Sequence, residues 1–200
     1  MQPLKTSFVT SFILFGFLFI FSFKNQKIEI NGRDISFFNS YDVIITCGQS
    51  FYSRLININN FSLDNYSHIG ILICENNKIF VLHSTPDGTK ENGIRYDEIQ
   101  KFIDLSDVNK YTVLRLSNLN QTEKEILSEE ISRFRHLNVP FDYDFNNRDQ
   151  SQIYCSELVW IIYRKVSPFF LTGFEIDKPF HPYKFLEQDS FQIVVTRGAN

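Results

Sequence analysis

Hydrophobic residues recur along the chain with two different periods, which predict strands in some segments and helices in others. Short apolar or alternating runs, bounded by polar residues, predict strands over 42–46, 69–74, 79–82, 112–116 and 191–196. The second and third of these runs are separated by the polar residues Glu75-Asn76-Asn77-Lys78, which is typical of a β-hairpin turn. We therefore expect at least these two strands to pair in the antiparallel sense.

Three further segments have the periodicity of helices. The first, around residues 50–56, is amphipathic, and the second opens at the capping-box pattern Thr122-x-x-Glu125 and continues to about residue 137. The third, over 155–166, is apolar almost all round and is expected to be buried. One face of the second helix is apolar and consists of Leu127, Ile131 and Phe134. Together these elements predict an α+β fold in which an antiparallel sheet packs on helices.

One long run near the start of the chain has no charge. Residues 6–23, between Lys5 and Lys24, include seven of the 22 Phe residues of the chain. A helix of about twenty apolar residues crosses the hydrocarbon core of a bilayer, so this run fits a short membrane anchor. It also fits the hydrophobic part of a secretory signal, although no Ala-x-Ala-like cleavage site follows it. We expect an uncleaved hydrophobic helix, and a cleaved signal is the open alternative.

The uncharged run divides the chain into a signal or membrane anchor over 1–27 and a single domain over 28–200. Basic residues flank the run on both sides, and the positive-inside rule weakly favours a cytoplasmic domain. The signal-like layout favours the opposite side. We expect a membrane-anchored or exported protein whose domain is extracytoplasmic.

Charge and cysteine content exclude several classes of function. A net charge of −3 argues against a nucleic-acid partner, because phosphate binding requires clustered Lys and Arg. The three cysteines, Cys47, Cys74 and Cys155, are odd in number and lack the spacing of zinc ligands. We therefore expect no metal, no cofactor and no disulfide framework. The sequence carries no prediction of oligomeric state.

Three residues suggest nucleophilic catalysis. Cys155 stands at the predicted start of a helix, where the partial positive charge and free N–H groups lower the pKa of a thiol and bind an oxyanion. An inert buried thiol is the alternative. If the hairpin turn is centred between Asn76 and Asn77, Gly70 faces His83, and His68 shares a sheet face with His83. A thiol, a base and an orienting group would then be available.

Five blocks occur in order along the chain. They are Tyr41-Asp42-Val43-Ile44-Ile45, Gly48-Gln49-Ser50-Phe51, Ser67-His68-Ile69-Gly70-Ile71, Pro140-Phe141-Asp142-Tyr143 and Tyr154-Cys155-Ser156-Glu157-Leu158-Val159. In this order the blocks resemble the YiiX-like permuted papain-like hydrolases of the NlpC-type superfamily, in which a circular permutation places the His before the Cys. The resemblance covers residues 40–165 and implies a permuted papain-like, NlpC-type fold.

The resemblance implies Cys155 as nucleophile, His68 as general base and His83 as the third, polar residue of a catalytic triad. Many relatives have Glu at the position of His83, and a His–His–Cys set is similar to the lecithin:retinol acyltransferase-like branch. The implied substrates are amides in peptides, cell-wall peptides or N-acyl compounds. We expect Tyr154, Asp142 and Tyr143 to line the substrate cleft, although Tyr143 also fits a core position. A lipid acyltransferase or lipase-like thiol enzyme, and an inactive anchored binding module, remain alternatives.

Overall fold

A computed structural model describes residues 30, 32–48, 66–86, 92–166 and 173–198 of the chain. Six strands form one sheet in the order β4-β3-β2-β1-β5-β6, and every neighbouring pair is antiparallel. The strands are β1 (Val43–Gly48), β2 (His68–Glu75), β3 (Lys78–Thr85), β4 (Gly93–Glu98), β5 (Ser106–Leu116) and β6 (Phe191–Arg197). The predicted α+β class with an antiparallel sheet is confirmed.

Four α-helices and one 3₁₀ turn accompany the sheet in the described part of the chain. They are α1 (Gly32–Ile35), α2 (Ile99–Asp104), α3 (Gln121–Arg135), α4 (Cys155–Tyr163) and the 3₁₀ turn Pro182–Phe185. None of these helices has the length and apolarity needed to span a bilayer. The predicted anchor over 1–27 and the predicted helix around 50–56 lie outside the described residues.

The hairpin between β2 and β3 has the predicted register. Asn76 and Asn77 adopt left-handed backbone conformations, with φ of 51° and 59°, as a two-residue turn of the I′ kind requires. Asn tolerates this conformation better than most residues. Glu75 therefore pairs with Lys78 at the turn, and the pairing continues to Gly70 and His83 at the far end.

Helix α3 begins two residues earlier than the capping-box pattern predicted, so the assignment of Thr122 and Glu125 was wrong. Asn120 caps the helix: its side chain accepts a hydrogen bond from the Glu123 N–H at 2.9 Å. The Glu123 carboxylate in turn accepts one from the Asn120 N–H at 2.8 Å. Asn caps helices as well as Thr does, which explains the shift. The predicted apolar face is buried.

The two faces of the sheet are covered by different helices. On one face, Ile45, Ile69 and Ile71 belong to a core that includes residues of α3 and α4. On the other face, Ile44 and Leu72 pack against Phe102 of α2. Side chains of successive strand residues alternate between these faces, so the apolar residues of β2 divide between the two cores.

Candidate active site

His68 and His83 lie in contact on the sheet face that α2 covers. His68 Nε2 and His83 Nδ1 are 3.1 Å apart, and the two rings are nearly perpendicular, at 84°. Both side chains are buried, and the Phe102 ring lies 4.9 Å from each of them between ring centroids. The predicted shared face of His68 and His83 is therefore present.

Gly70 makes room for this pair. It faces His83 across the β2–β3 ladder. A Cβ atom at Gly70 would lie 2.4 Å from Val81 Cγ1 and 3.1 Å from His83 Cβ. Real Cβ atoms do not approach other atoms as closely as 2.4 Å, so a larger residue would push β3 away from β2.

Asp97 of β4 joins His68 and His83 in one buried polar cluster. Its Oδ2 atom lies 3.2 Å from His83 Nε2. The same carboxylate pairs with Arg95 at 2.8 Å and with Lys101 at 2.9 Å. Asp97 was not among the residues predicted from the sequence, because no strand was predicted between 82 and 112. A signal was present, since the apolar Ile94 and Tyr96 alternate with Arg95 and Asp97.

Burial and neighbouring charges set the protonation of this cluster. Burial lowers the pKa of His68 well below its ordinary value, and a proton on His83 and the charge of Arg95 would each lower it further. Burial also lowers the pKa of His83, although the Asp97 carboxylate opposes the change. Burial alone would raise the pKa of Asp97, but hydrogen bonds with His83 and Lys101 bring it to about 2. At neutral pH, both imidazoles are neutral and Asp97 is ionised.

Cys155 is the first residue of α4, as predicted, and its side chain is 2% exposed. Its Sγ atom lies 3.8 Å from Ser156 Oγ. Burial raises the pKa of the Cys155 thiol to about 11, while the backbone N–H groups of Ser156 and Ile69 lower it by smaller amounts. The expected lowering at a helix start is thus outweighed by burial. At neutral pH the thiol is protonated.

The thiol approaches β2 beside His68. Cys155 belongs to the core on the α4 face, whereas the two imidazoles contact Phe102 on the α2 face. The Cys155 thiol interacts with the backbone N–H of Ile69, the residue after His68. Ile69 lies beyond Gly70, where the pairing between β2 and β3 ends. In the described part of the chain, no hydrogen bond joins Cys155 to His68. The structure therefore unites the two histidines and places the thiol next to the backbone of the strand that carries His68.

The three predicted substrate contacts lie near the start of α4 and have partners within the protein. The Tyr154 hydroxyl donates to Asn147 Oδ1 at 2.5 Å, and its ring is buried. Asp142, also buried, accepts hydrogen bonds from the N–H groups of residues 144 and 146. Tyr143 is half-buried and donates to Asn92 Oδ1 at 2.9 Å. Their role as substrate contacts stays a prediction.

Glu157, in the first turn of α4, is the carboxyl group nearest in sequence to Cys155. Its side chain is 1% exposed, and neither of its oxygens has a hydrogen-bond partner in the described part of the chain. Burial, reinforced by the charge of Asp142, raises the pKa of Glu157 to about 8. The carboxyl is therefore protonated at neutral pH. As for metals, the described residues contain no group of three or more His, Cys, Asp or Glu side chains able to hold an ion.

Comparisons with known proteins agree with the geometry of the fold. Residues 42–185 match the family described as permuted papain-like amidase enzyme, YaeF/YiiX, C92 family. The uncharacterized protein YiiX of Escherichia coli (strain K12) is 28% identical over 124 residues, which are 62% of this chain. The match covers 56% of YiiX, so this chain spans about half the length of that curated relative.

A solved structure has the same fold. The crystal structure of the metalloprotein yiiX from Escherichia coli O157:H7 aligns with 78% of this chain and 96% of its own, with a TM-score of 0.63. Sequence identity over this alignment is 21%. At this identity the likeness shows the fold alone.

Proposed function

The chain belongs to the YaeF/YiiX family of permuted papain-like amidases, and from this membership we propose that it hydrolyses an amide bond with Cys155 as nucleophile. His68 is the general base, and His83 orients His68. The observation that carries the assignment is the 3.1 Å hydrogen bond between the two buried imidazoles. Buried polar groups that are paired in this way orient each other, as catalysis by a thiol and a base requires.

The reaction follows from these roles. As Cys155 Sγ attacks the amide carbonyl, its proton passes to His68, and a tetrahedral oxyanion forms. The N–H groups at the start of α4 stabilise that oxyanion. The C–N bond then breaks, His68 protonates the leaving amine, and an acyl group remains on Cys155. Water, deprotonated by His68, hydrolyses the thioester and regenerates the thiol.

In the resting state the thiol and the imidazole are both neutral. Burial raises the pKa of Cys155 and lowers that of His68, so an ion pair between them is disfavoured before substrate binds. The proton therefore moves during the attack and not before it. Because Cys155 is 2% exposed and belongs to the core on the α4 face, substrate binding must also open a path to the thiol and bring it within reach of the His68 ring.

The uncharged run over 6–23 supports a location at a membrane, either as an anchor or as an export signal, with the domain on the extracytoplasmic side. The substrate is then a peptide, a cell-wall peptide or an N-acyl amide that reaches the membrane surface. A lipid ester is the competing substrate, since the acyl-enzyme would be the same.

The test uses the full chain in a mild detergent with three substrate sets: peptide amides, cell-wall peptides and N-acyl amides of increasing chain length. A phospholipid serves as the ester comparison, and each assay is repeated with EDTA. We expect amide cleavage that EDTA leaves unchanged, with an acyl group on Cys155 detected by mass spectrometry. Cys155→Ala lowers the rate at least about 1,000-fold.

The matched control is Cys74→Ala, which removes an exposed thiol remote from the histidines and should leave the rate within about twofold. Amide cleavage by Cys155→Ala at the wild-type rate would remove Cys155 from the mechanism. Cleavage of the phospholipid without any amide would show a lipid enzyme instead. Loss of activity in EDTA would show hydrolysis that depends on a metal.

A further inference from the structure

His83 uses both of its ring nitrogens in hydrogen bonds. Nδ1 lies 3.1 Å from His68 Nε2, and Nε2 lies 3.2 Å from Asp97 Oδ2. Three buried side chains from three adjacent strands therefore form one row, His68–His83–Asp97. The Asp97 carboxylate forms one end of the row, and the His68 ring forms the other. The residue after His68 is Ile69, whose backbone N–H interacts with the Cys155 thiol.

When both imidazoles are neutral, the donors and acceptors in this row have only one consistent arrangement. An ionised carboxylate only accepts hydrogen bonds, so His83 Nε2 must carry a proton and donate it to Asp97. A neutral imidazole has a single N–H, which leaves His83 Nδ1 as an acceptor. His68 Nε2 must then donate to His83. His68 in turn has its single proton on Nε2, which leaves Nδ1 as its proton acceptor.

We propose that Asp97 is a positioning residue that acts through His83 to fix the tautomer of His68, so that Nδ1 is the nitrogen able to accept a proton from Cys155. This proposal rests on the proposed function, because it makes His68 Nδ1 the acceptor of the thiol proton. Asp97 touches neither the substrate nor the thiol in this mechanism.

His83 alone does not determine this tautomer. Without a carboxylate beyond it, a neutral His83 can carry its proton on Nδ1 and donate to His68 Nε2. His68 then has its proton on Nδ1 and offers its lone pair to His83. In that state, the nitrogen available to the thiol is already protonated. Asp97 excludes this second arrangement because it cannot donate to His83 Nε2.

The largely buried Arg95 side chain keeps the Asp97 carboxylate ionised and in place, and the exposed Lys101 adds a second contact at the surface. Arg95 and Lys101 pair with it at 2.8 and 2.9 Å. The Phe102 ring packs against both imidazoles and limits their rotation. A purely structural role, in which Asp97 only neutralises Arg95 and Lys101, is the competing explanation, so the experiment must measure a property that such a role leaves unchanged.

The experiment measures the tautomer of each histidine by long-range ¹H–¹⁵N correlation NMR on the full chain labelled with ¹⁵N-histidine in detergent micelles. His68→Gln and His83→Gln spectra assign the two rings. In the wild type at pH 7.5, we expect His68 to carry its proton on Nε2 alone. In Asp97→Ala, we expect a mixture of tautomers at His68. Lys101→Gln, which removes an exposed partner and keeps the carboxylate, should give the wild-type spectrum.

Kinetics provide the second readout. Asp97→Ala should lower kcat roughly 10- to 100-fold with KM within about twofold, since only the proton-transfer step is affected. Asp97→Glu should recover part of the loss. Equal losses of kcat in Lys101→Gln and Asp97→Ala would support the purely structural role and overturn the proposal.

Two results separate this proposal from others. If Asp97→Ala does not fold, the wild-type spectrum still decides, because a His68 proton on Nδ1 would overturn the proposal. The tautomers are measured without substrate, so they are independent of whether Cys155 is the nucleophile. Full activity in Cys155→Ala would refute the proposed function, whereas an unchanged His68 tautomer in Asp97→Ala would refute only the role of Asp97.

Discussion

Replacing Glu157 by Gln should stabilise the protein at neutral and alkaline pH. The carboxyl of Glu157 is 1% exposed and has no hydrogen-bond partner among the described residues. Burial and the charge of Asp142 raise its pKa from an ordinary value of 4.5 to about 8. Between these two pH values, the folded chain holds a proton that the unfolded chain releases. The free energy of unfolding therefore falls as the pH rises through this window.

The size of the effect follows from the shift in pKa. At 1.36 kcal/mol per pKa unit, the shift from 4.5 to about 8 sets an upper limit of about 5 kcal/mol. Relaxation of the protein and entry of water reduce penalties of this kind, so we expect about 1–3 kcal/mol. Glutamine has nearly the same shape and no proton to lose. The stability of Glu157→Gln relative to wild type should therefore increase by this amount between pH 5 and pH 8.

Urea unfolding of the full chain at pH 5, 6, 7 and 8 measures this difference. Trp160, the only tryptophan of the chain, lies on the same helix as Glu157 and packs 4.9 Å from Phe180 between ring centroids, so its fluorescence reports unfolding of this region. Glu129→Gln, on the exposed side of α3, is the matched control and should change little with pH. A stability difference between Glu157→Gln and wild type that is the same at pH 5 and pH 8 would refute the reasoning.

Three further substitutions test the packing of the site and the start of α3. Gly70→Ala places a Cβ atom 2.4 Å from Val81 Cγ1, so it should destabilise the fold by about 1–3 kcal/mol in urea unfolding. It should also break the contact between His68 and His83, which histidine NMR spectra detect. Wild-type values in both measurements would contradict the packing. Asn120→Ala should cost about 1 kcal/mol by removing the helix cap, whereas Thr122→Ala should change stability by less than about 0.5 kcal/mol. A larger loss in Thr122→Ala than in Asn120→Ala would show that the helix begins at the later residue.

The register of the β2–β3 hairpin was predictable because local chemistry determines it. Two consecutive Asn residues tolerate the left-handed conformations of a two-residue turn, and the side-chain period of two then assigns every residue to a face. The contact between His68 and His83, 15 residues apart in sequence, follows from that turn alone. The start of α4 near Cys155 was predictable for a similar reason, since a segment with helical periodicity and an apolar run from Leu158 to Ile162 follows it.

Asp97 was not predictable in the same way. β4 places Arg95 and Asp97 on a buried face, where a sequence pattern leads one to expect apolar residues. The burial of Asp97 depends on three partners, Arg95, Lys101 and His83, and His83 comes from another strand. The position of the Cys155 thiol relative to the two imidazoles was not predictable for the same reason. Sequence patterns place Cys155 at a helix start, but only tertiary packing determines which sheet face that helix covers.

The position of the carboxylate decides what it can do for His68. The resemblance to permuted papain-like hydrolases places Glu at position 83 in many relatives, where a carboxylate would contact the catalytic imidazole directly. Here a neutral imidazole occupies that position, and the charge lies one strand further away, on Asp97.

Coulomb attraction falls with distance, and Arg95 and Lys101 largely neutralise the Asp97 charge. Asp97 therefore stabilises a charged His68 only weakly, which agrees with the lowered pKa of His68. The order of donor and acceptor, in contrast, is transmitted from Asp97 through His83 to His68, because each neutral ring has one donor and one acceptor nitrogen. In this chain, the carboxylate can thus act on His68 by choosing its tautomer, and much less by stabilising an ion pair with the thiol.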